Sequence, residues 1–385
     1  MSQQTLREPT IHGRCDERLT GIRDAFAANF LERGEIGAAL AVSLDGKPVV
    51  DIWAGSADPA GTRAWREDTL ADVFSVGKPM AAMCLLMLSE RGKIDLDQPA
   101  ALHWPALAAA GKEHVTARMI LAHRAGLPAI RTPLPAGAMY DWDLICGELA
   151  AQEPWWEPGV THGYHVNTYG FLVGELVRRV SGLSIGRFLA QEIAGPLGAD
   201  MHFGLRAADQ RRCADFLFPQ VSRAMDSARM PQMTALAYLN PPGITGDGTV
   251  NTPRWRSAEL PSANGHATAR ALARFYSALA GGGEIDGVRL LSESTLALAC
   301  TEASAGADAV LGRPSRFGLG FQLTQPERPL GPSPNAFGHF GAGGALGFAD
   351  PDAGVSFGYT LNQGLGPRWQ NPRNRALIDA LYTAL

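Results

Sequence analysis

Cysteine is scarce and scattered. The chain of 385 residues has five, at 15, 84, 146, 213 and 300, with no CxxC pair. An odd, widely spaced set argues against a disulfide framework or a structural zinc site and fits a reducing compartment. No run of eighteen apolar residues exists, so no transmembrane helix is expected. The opening MSQQTLREPTIHGR lacks the apolar stretch of an export signal, and a cytoplasmic location is expected. No block of like charge occurs, and 34 Lys and Arg against 38 Asp and Glu leave a net charge of only −4. Neither nucleic acid nor an anionic membrane surface is therefore an expected partner. The nine histidines form no HExxH or other metal spacing, and neither a metal nor a cofactor is expected. Internal repeats and low-complexity segments are also missing.

What is present suits a compact protein with a large core. Apolar residues make up 46% and charged residues 19%, enough for two lobes at this length. Residues 16–34 carry Leu19, Ile22, Phe26, Phe30 and Leu31 at helical spacing. Two β-rich runs then flank Asp45-Gly46, a hairpin signal. From about 93 to 255 strand patterns thin out. Helices are expected at 116–123 and 167–180, and a loop-rich stretch at 128–160 holds Tyr140, Trp142, Trp155 and Trp156. After 260 a helix ends in a glycine cluster. Strands are expected at 317–323, 347–351 and 354–361, then a last helix over 372–385. The economical division is an α/β lobe of residues 1–92 and 256–385 interrupted by a mostly helical lobe, 93–255.

Three elements carry candidate chemistry. Ser75-Val76-Gly77-Lys78 opens the apolar run Met80–Leu88. A Ser and a Lys three apart at a helix start face the same way, with Cβ atoms roughly 5–6 Å apart. An amine shielded by such apolar neighbours prefers its neutral form and can take a proton from the hydroxyl. Alone, SxxK fits equally a capping serine beside a solvated lysine. Tyr164 follows the Pro158-Gly159 turn and immediately precedes the 167–180 helix, a junction from which a phenol can reach a cleft or simply pack. Gly338–Gly347 holds five glycines in ten residues just before a strand. Such a segment lets backbone N–H groups approach a ligand, or is a plain strand connection; it matches neither GxGxxG nor GK[ST]. Gly182-Leu183-Ser184-Ile185-Gly186 fits GxSxG, but a helix precedes it where a nucleophile elbow needs a strand, so Ser184 is expected in a helix-ending turn. The tryptophans at 142, 155 and 156 either line an acyl pocket or pack the lobes together.

The three elements, in this order, resemble the serine β-lactamase/penicillin-binding-protein-like superfamily, and within it the family VIII carboxylesterases, whose sequences look like class C β-lactamases. The resemblance runs over most of the chain. It includes the run VFSVGK, Leu121–Leu127 as LxHxxGL, WEPG at 156–159, GYHxxTYGxLxGExxRRxxG at 163–182, Gly195-Pro196-Leu197-Gly198 and the 338–351 strand. It implies an α/β (α+β) fold, an antiparallel sheet flanked by helices plus a mostly helical lobe, with the active site between them. It also implies Ser75 as acylated nucleophile, Lys78 as partner base and Tyr164 as the tyrosine of the YxN motif. His339-Phe340-Gly341 stands where β-lactamases have KTG, and Ala342 would supply, with Ser75, the oxyanion-binding backbone N–H groups. His339, Phe340, Gly341, Trp142 and Trp155 are the substrate-binding candidates.

Two departures bear on substrate. Val166 replaces the Asn of YxN, and His339 replaces the Lys of KTG. The family's Asn touches the β-lactam amide, and its Lys attracts a carboxylate that a mostly neutral His attracts less. The expectation is a serine carboxylesterase for short- to medium-chain esters, acting through an acyl-enzyme on a small-molecule ester. Lys78 would be kept neutral by burial and a hydrogen bond with Tyr164, and which of the two is the general base stays open. A weak β-lactamase, a D-amino-acid peptidase, an acyltransferase and a non-catalytic binding or sensor protein stay open as alternatives, as does oligomeric state.

Overall fold

The computed structural model describes residues 9–218, 230–244, 246–365 and 371–385; the first eight residues of the opening stretch lie outside these. β1 (His12–Cys15) and helix α1 (Thr20–Glu32) lead into a hairpin, β2 (Gly37–Leu44) and β3 (Lys47–Gly55). Asp45 and Gly46 both have positive φ, 46° and 75°, as a two-residue turn matching the strand twist requires. β4 (Ala71–Phe74) then feeds helix α2 (Gly77–Glu90). Every residue of α2 from Gly77 to Leu88 is buried, the mark of a helix in the centre of a core and not on its surface.

The middle of the chain is helical, with α3 (Ala117–Leu121), α4 (Trp142–Ala151), α5 (Thr168–Ser181) and α6 (Ile185–Leu189). α4 falls inside the stretch expected to be loop-rich. Asp141 starts it by accepting the Leu144 N–H at 3.0 Å. β5 (Met201–His202) and β6 (Gly265–Ala267) join β4 in a small antiparallel sheet ordered β4-β6-β5. A helix over Ala269–Ala280 and the short hairpin β7 (Glu284–Ile285) and β8 (Val288–Arg289) follow.

The remaining strands are β9 (Ser304–Ala307), β10 (Pro314–Phe317), β11 (Gln322–Leu323), β12 (Phe337–Phe340), β13 (Leu346–Asp350) and β14 (Val355–Leu361). With β1 and the first hairpin they form one nine-stranded antiparallel sheet, ordered β1-β3-β2-β14-β13-β12-β11-β10-β9. The central seam is thus β14 against β2, residues from opposite ends of the chain. The Ala269–Ala280 helix lies on this seam because Gly347 and Gly358 admit it. A Cβ at either would stand 2.3 Å from Tyr276 or from the Ala269 carbonyl.

The strand expected over 317–323 is broken. Between β10 and β11 the chain dips toward the buried helix, where Gly320 (φ 93°) donates its N–H to the Leu121 carbonyl at 3.0 Å. A Cβ at Gly320 would stand 2.1 Å from that of Ala82, so a regular strand is given up for contact with α2. Among the described residues no helix is long and apolar enough to cross a membrane.

Candidate active site

Ser75 sits in the turn between β4 and α2, half-buried, two residues before the first helical residue. The turn is tight enough to force Phe74 to φ 49°. A bulky residue held there stores strain of order 1–3 kcal/mol. Two contacts hold it. The Phe74 N–H donates to Asp72 Oδ1 at 2.8 Å, and the Phe74 ring meets Phe216 edge-on with centroids 4.8 Å apart. Asp72 is itself anchored by the Trp255 indole N–H at 2.9 Å. Burial pushes the Asp72 carboxyl up to about 8, against the pull of its two hydrogen bonds.

Lys78, in the first turn of α2, is fully buried. Its Nζ lies 3.2 Å from Ser75 Oγ, 2.8 Å from the Val166 carbonyl and 3.1 Å from the Ser262 carbonyl. The two carbonyls favour the ammonium form, but loss of water dominates and holds the amine well below the usual lysine range. The expected hydrogen bond from Lys78 to the Tyr164 hydroxyl is replaced. Nζ stands over the face of the Tyr164 ring, 4.7 Å from its centroid, and spends its donors on the carbonyls.

Tyr164 is buried beside Lys78. Burial raises its phenol above the usual tyrosine range, against the lowering influence of the Ser75 hydroxyl. Its ring stacks on Phe317, with centroids 5.8 Å apart and planes 6° apart, and is also packed by His123 and His339. His339 is buried on β12, with Nδ1 2.8 Å from the Phe340 carbonyl. Burial, and then Lys78, keep its imidazole neutral. Nδ1 therefore carries the proton, which leaves the lone pair of Nε2 without a partner among the described residues.

Gly341 follows β12 and lies against the end of β4. A Cβ there would stand 2.4 Å from the Val73 carbonyl, so only glycine lets the two strand ends come this close. That contact brings Ala342, the next residue and exposed, to the side of the Ser75 turn. The Phe340 ring is covered by the Arg328 guanidinium 3.6 Å above it.

The two tryptophans named as substrate-binding candidates part company. Trp155 donates its indole N–H to Ala129 and packs in a cluster with Val166, Leu236 and Tyr238, next to the carbonyl that holds Lys78. Trp142 lies elsewhere: its indole N–H donates to Glu175 at 2.9 Å, and its ring lines a cavity of about 330 Å³ with Tyr140, Ser184 and Leu260. It is held there because α4 packs on α5, where Gly174 leaves room for its ring. Ser184 of GxSxG caps α6, and its hydroxyl donates to Glu259 at 2.8 Å.

Sequence reasoning missed Asp72 and the carbonyls of Val166 and Ser262. A carboxylate inside the apolar run Leu70–Phe74 was a usable signal for Asp72. A carbonyl has none, because every residue carries one.

The Beta-lactamase family matches residues 23–381. The Mycobacterium tuberculosis protein Esterase/beta-lactamase LipL is 38% identical over 367 residues, covering 93% of this chain and 84% of that protein. The crystal structure of a family VIII carboxylesterase superimposes with a TM-score of 0.91 at 40% identity, over 97% of this chain and all of that one. A penicillin-binding protein homolog from Caulobacter crescentus gives 0.89 at 38% identity, over 97% and 100%. The chain belongs to the beta-lactamase family.

Proposed function

We propose that the protein is a serine carboxylesterase that hydrolyses short- to medium-chain esters through an acyl-enzyme on Ser75. The observation that carries this reading is the environment of Lys78 Nζ. A neutral amine has two N–H donors and one lone pair. With the two N–H groups of the neutral amine on the Val166 and Ser262 carbonyls, its lone pair is what remains for Ser75 Oγ, 3.2 Å away; in the resting arrangement the Ser75 hydroxyl also has the Ser262 carbonyl at 3.4 Å and must turn from it to Lys78. Lys78 is then the general base, and Tyr164, whose phenol is held protonated by burial, is the acid.

In acylation Lys78 takes the Ser75 proton while Oγ attacks the ester carbonyl. The backbone N–H groups of Ser75 and Ala342 receive the oxyanion. As the C–O bond breaks, Tyr164 gives its proton to the departing alcohol and regains one from Lys78, which holds the proton taken from Ser75. Water then attacks the acyl-enzyme, giving its proton to Lys78, which passes it to Ser75 Oγ as the acyl–Oγ bond breaks and the acid leaves. The cleft lies between the lobe of residues 1–92 and 256–385 and the helical lobe 93–255. His339, Phe340, Gly341 and Trp155 form its walls; Trp142 is left out, since it lines another cavity. A neutral His339 in the place of KTG, and the likeness to a family VIII carboxylesterase, favour a neutral ester over an anionic lactam.

The test is covalent. A phosphonate ester probe is expected to label Ser75, located by mass spectrometry, and p-nitrophenyl butyrate to give a burst of phenolate. Ser75→Ala should lose label and turnover together, while Ser184→Ala keeps both. A label on Ser184, or an active Ser75→Ala, overturns the assignment.

A further inference from the structure

Tyr164 reaches the site at the end of an extended segment with no regular structure of its own, and the sheet lobe holds it there. Asp308, in the turn joining β9 to β10, is 3% exposed. Its Oδ1 accepts the N–H groups of Val310 and Leu311, both at 2.9 Å, as a turn aspartate commonly does. Beyond that, the Tyr164 N–H lies between its two oxygens, at 3.0 and 3.1 Å, across 144 residues of sequence. Oδ2 also accepts the Ser315 hydroxyl at 2.8 Å, and His162 Nε2 lies 3.0 Å from that same hydroxyl. Ser315 and Phe317 project from the same face of β10. One strand thus braces the carboxylate that grips the Tyr164 backbone and supplies the ring on which the tyrosine stacks, with planes 6° apart.

We infer that Asp308 is a positioning residue for proton transfer to the leaving alcohol: its carboxylate fixes the Tyr164 backbone so that the phenol stays at Ser75. This rests on the reading of Tyr164 as the acid. A carboxylate that only closed its own turn would need neither the Tyr164 N–H nor the Ser315 hydroxyl.

The readout is the dependence on leaving group. p-Nitrophenyl butyrate and ethyl butyrate give the same butyryl-enzyme. The nitrophenolate departs unprotonated, whereas ethoxide needs a proton as it leaves. kcat/KM for each ester reports acylation alone. Wild type, Asp308→Ala, Asp308→Asn and Ser315→Ala are compared on both esters, with phosphonate labelling of Ser75 followed in each. In Asp308→Ala, kcat/KM for ethyl butyrate is expected to fall at least about tenfold further than for p-nitrophenyl butyrate, within the range a general acid contributes. Asp308→Asn, which keeps one acceptor oxygen, should lie between this variant and wild type.

Equal losses on the two esters, or none, overturn the inference. If neither Asp308 variant folds, Ser315→Ala decides: a ratio shifted about threefold in the same direction supports it, and an unchanged ratio overturns it. A wild-type protein that takes no label at Ser75 counts against the esterase reading instead.

Discussion

At the scale of single residues the chemistry depends on how far the Lys78 amine is from its ordinary behaviour. Burial disfavours its charge, and in the proposed mechanism the neutral form is the base, so activity is expected to rise as pH climbs through the depressed lysine pKa and then level. The acid limb of kcat/KM for p-nitrophenyl butyrate should therefore lie well below the normal lysine range. A limb at the ordinary lysine value would mean a hydrated amine and would count against the mechanism. Lys78→Arg keeps the positive charge but cannot release its proton. Turnover should drop by about 10²–10⁴ and not recover at high pH, checked by steady-state kinetics across the accessible range. The Ser75–Lys78 pair was legible in the sequence because it is local: one helical turn brings the two side chains together whatever the rest of the chain does.

At the scale of elements, the site is the meeting of two strand ends, β4 carrying the nucleophile and β12 the glycine-rich segment. Gly341 has φ −92°, a conformation any residue adopts, so its role is the contact and not the backbone angle. In Gly341→Ala the new methyl must push β12 away from the Val73 carbonyl, now 2.4 Å from where it would stand. The expected result is a loss of about 10²-fold in kcat/KM, as for removal of an oxyanion donor, with Tm lowered only modestly. Parallel kinetics and thermal melts check this; unchanged kinetics would show that the 341–342 backbone is no part of the site. The glycines were visible in the sequence. Their partner was not, since Val73 lies 268 positions before Gly341 and is met through its carbonyl. Asp72 and Asp308 escaped for a similar reason. Asp72 meets Trp255 across 183 residues and Asp308 meets the Tyr164 backbone across 144. The broken strand at 318–321 also follows from tertiary contact, because β-propensity there gives way to the approach to α2.

At the scale of the whole molecule, the two ends of the chain are joined by a buried ion pair as well as by the β2–β14 seam. Arg373, near the start of the last helix, meets Glu35 at 3.0 Å with both side chains fully buried. Tyr359 of β14 also donates its hydroxyl to Glu35. Burial outweighs both partners and pushes the Glu35 carboxyl up to about 7. A carboxyl raised on folding binds its proton more tightly in the folded state. Its contribution to stability is therefore complete below the usual carboxylate range and is lost as pH rises through about 7. Denaturant unfolding should show roughly 2–3 kcal/mol of this loss between about pH 5 and about pH 8. Glu35→Gln should flatten that part of the curve even if it lowers stability throughout. An unaltered slope would place the titration elsewhere.

The sequence alone determined what short-range geometry and hydrophobic period can encode. That includes the α1 helix, the Asp45-Gly46 hairpin, the buried helix behind Ser75, and a lysine one turn from a serine. Only the tertiary structure decided which carbonyls receive the Lys78 donors, that its amine lies over the Tyr164 ring, that Trp142 faces another cavity, and that Asp308 holds Tyr164 from across the sheet. These contacts join residues far apart in the chain, several of them through backbone atoms common to all residues, and no local pattern records which such atoms will meet.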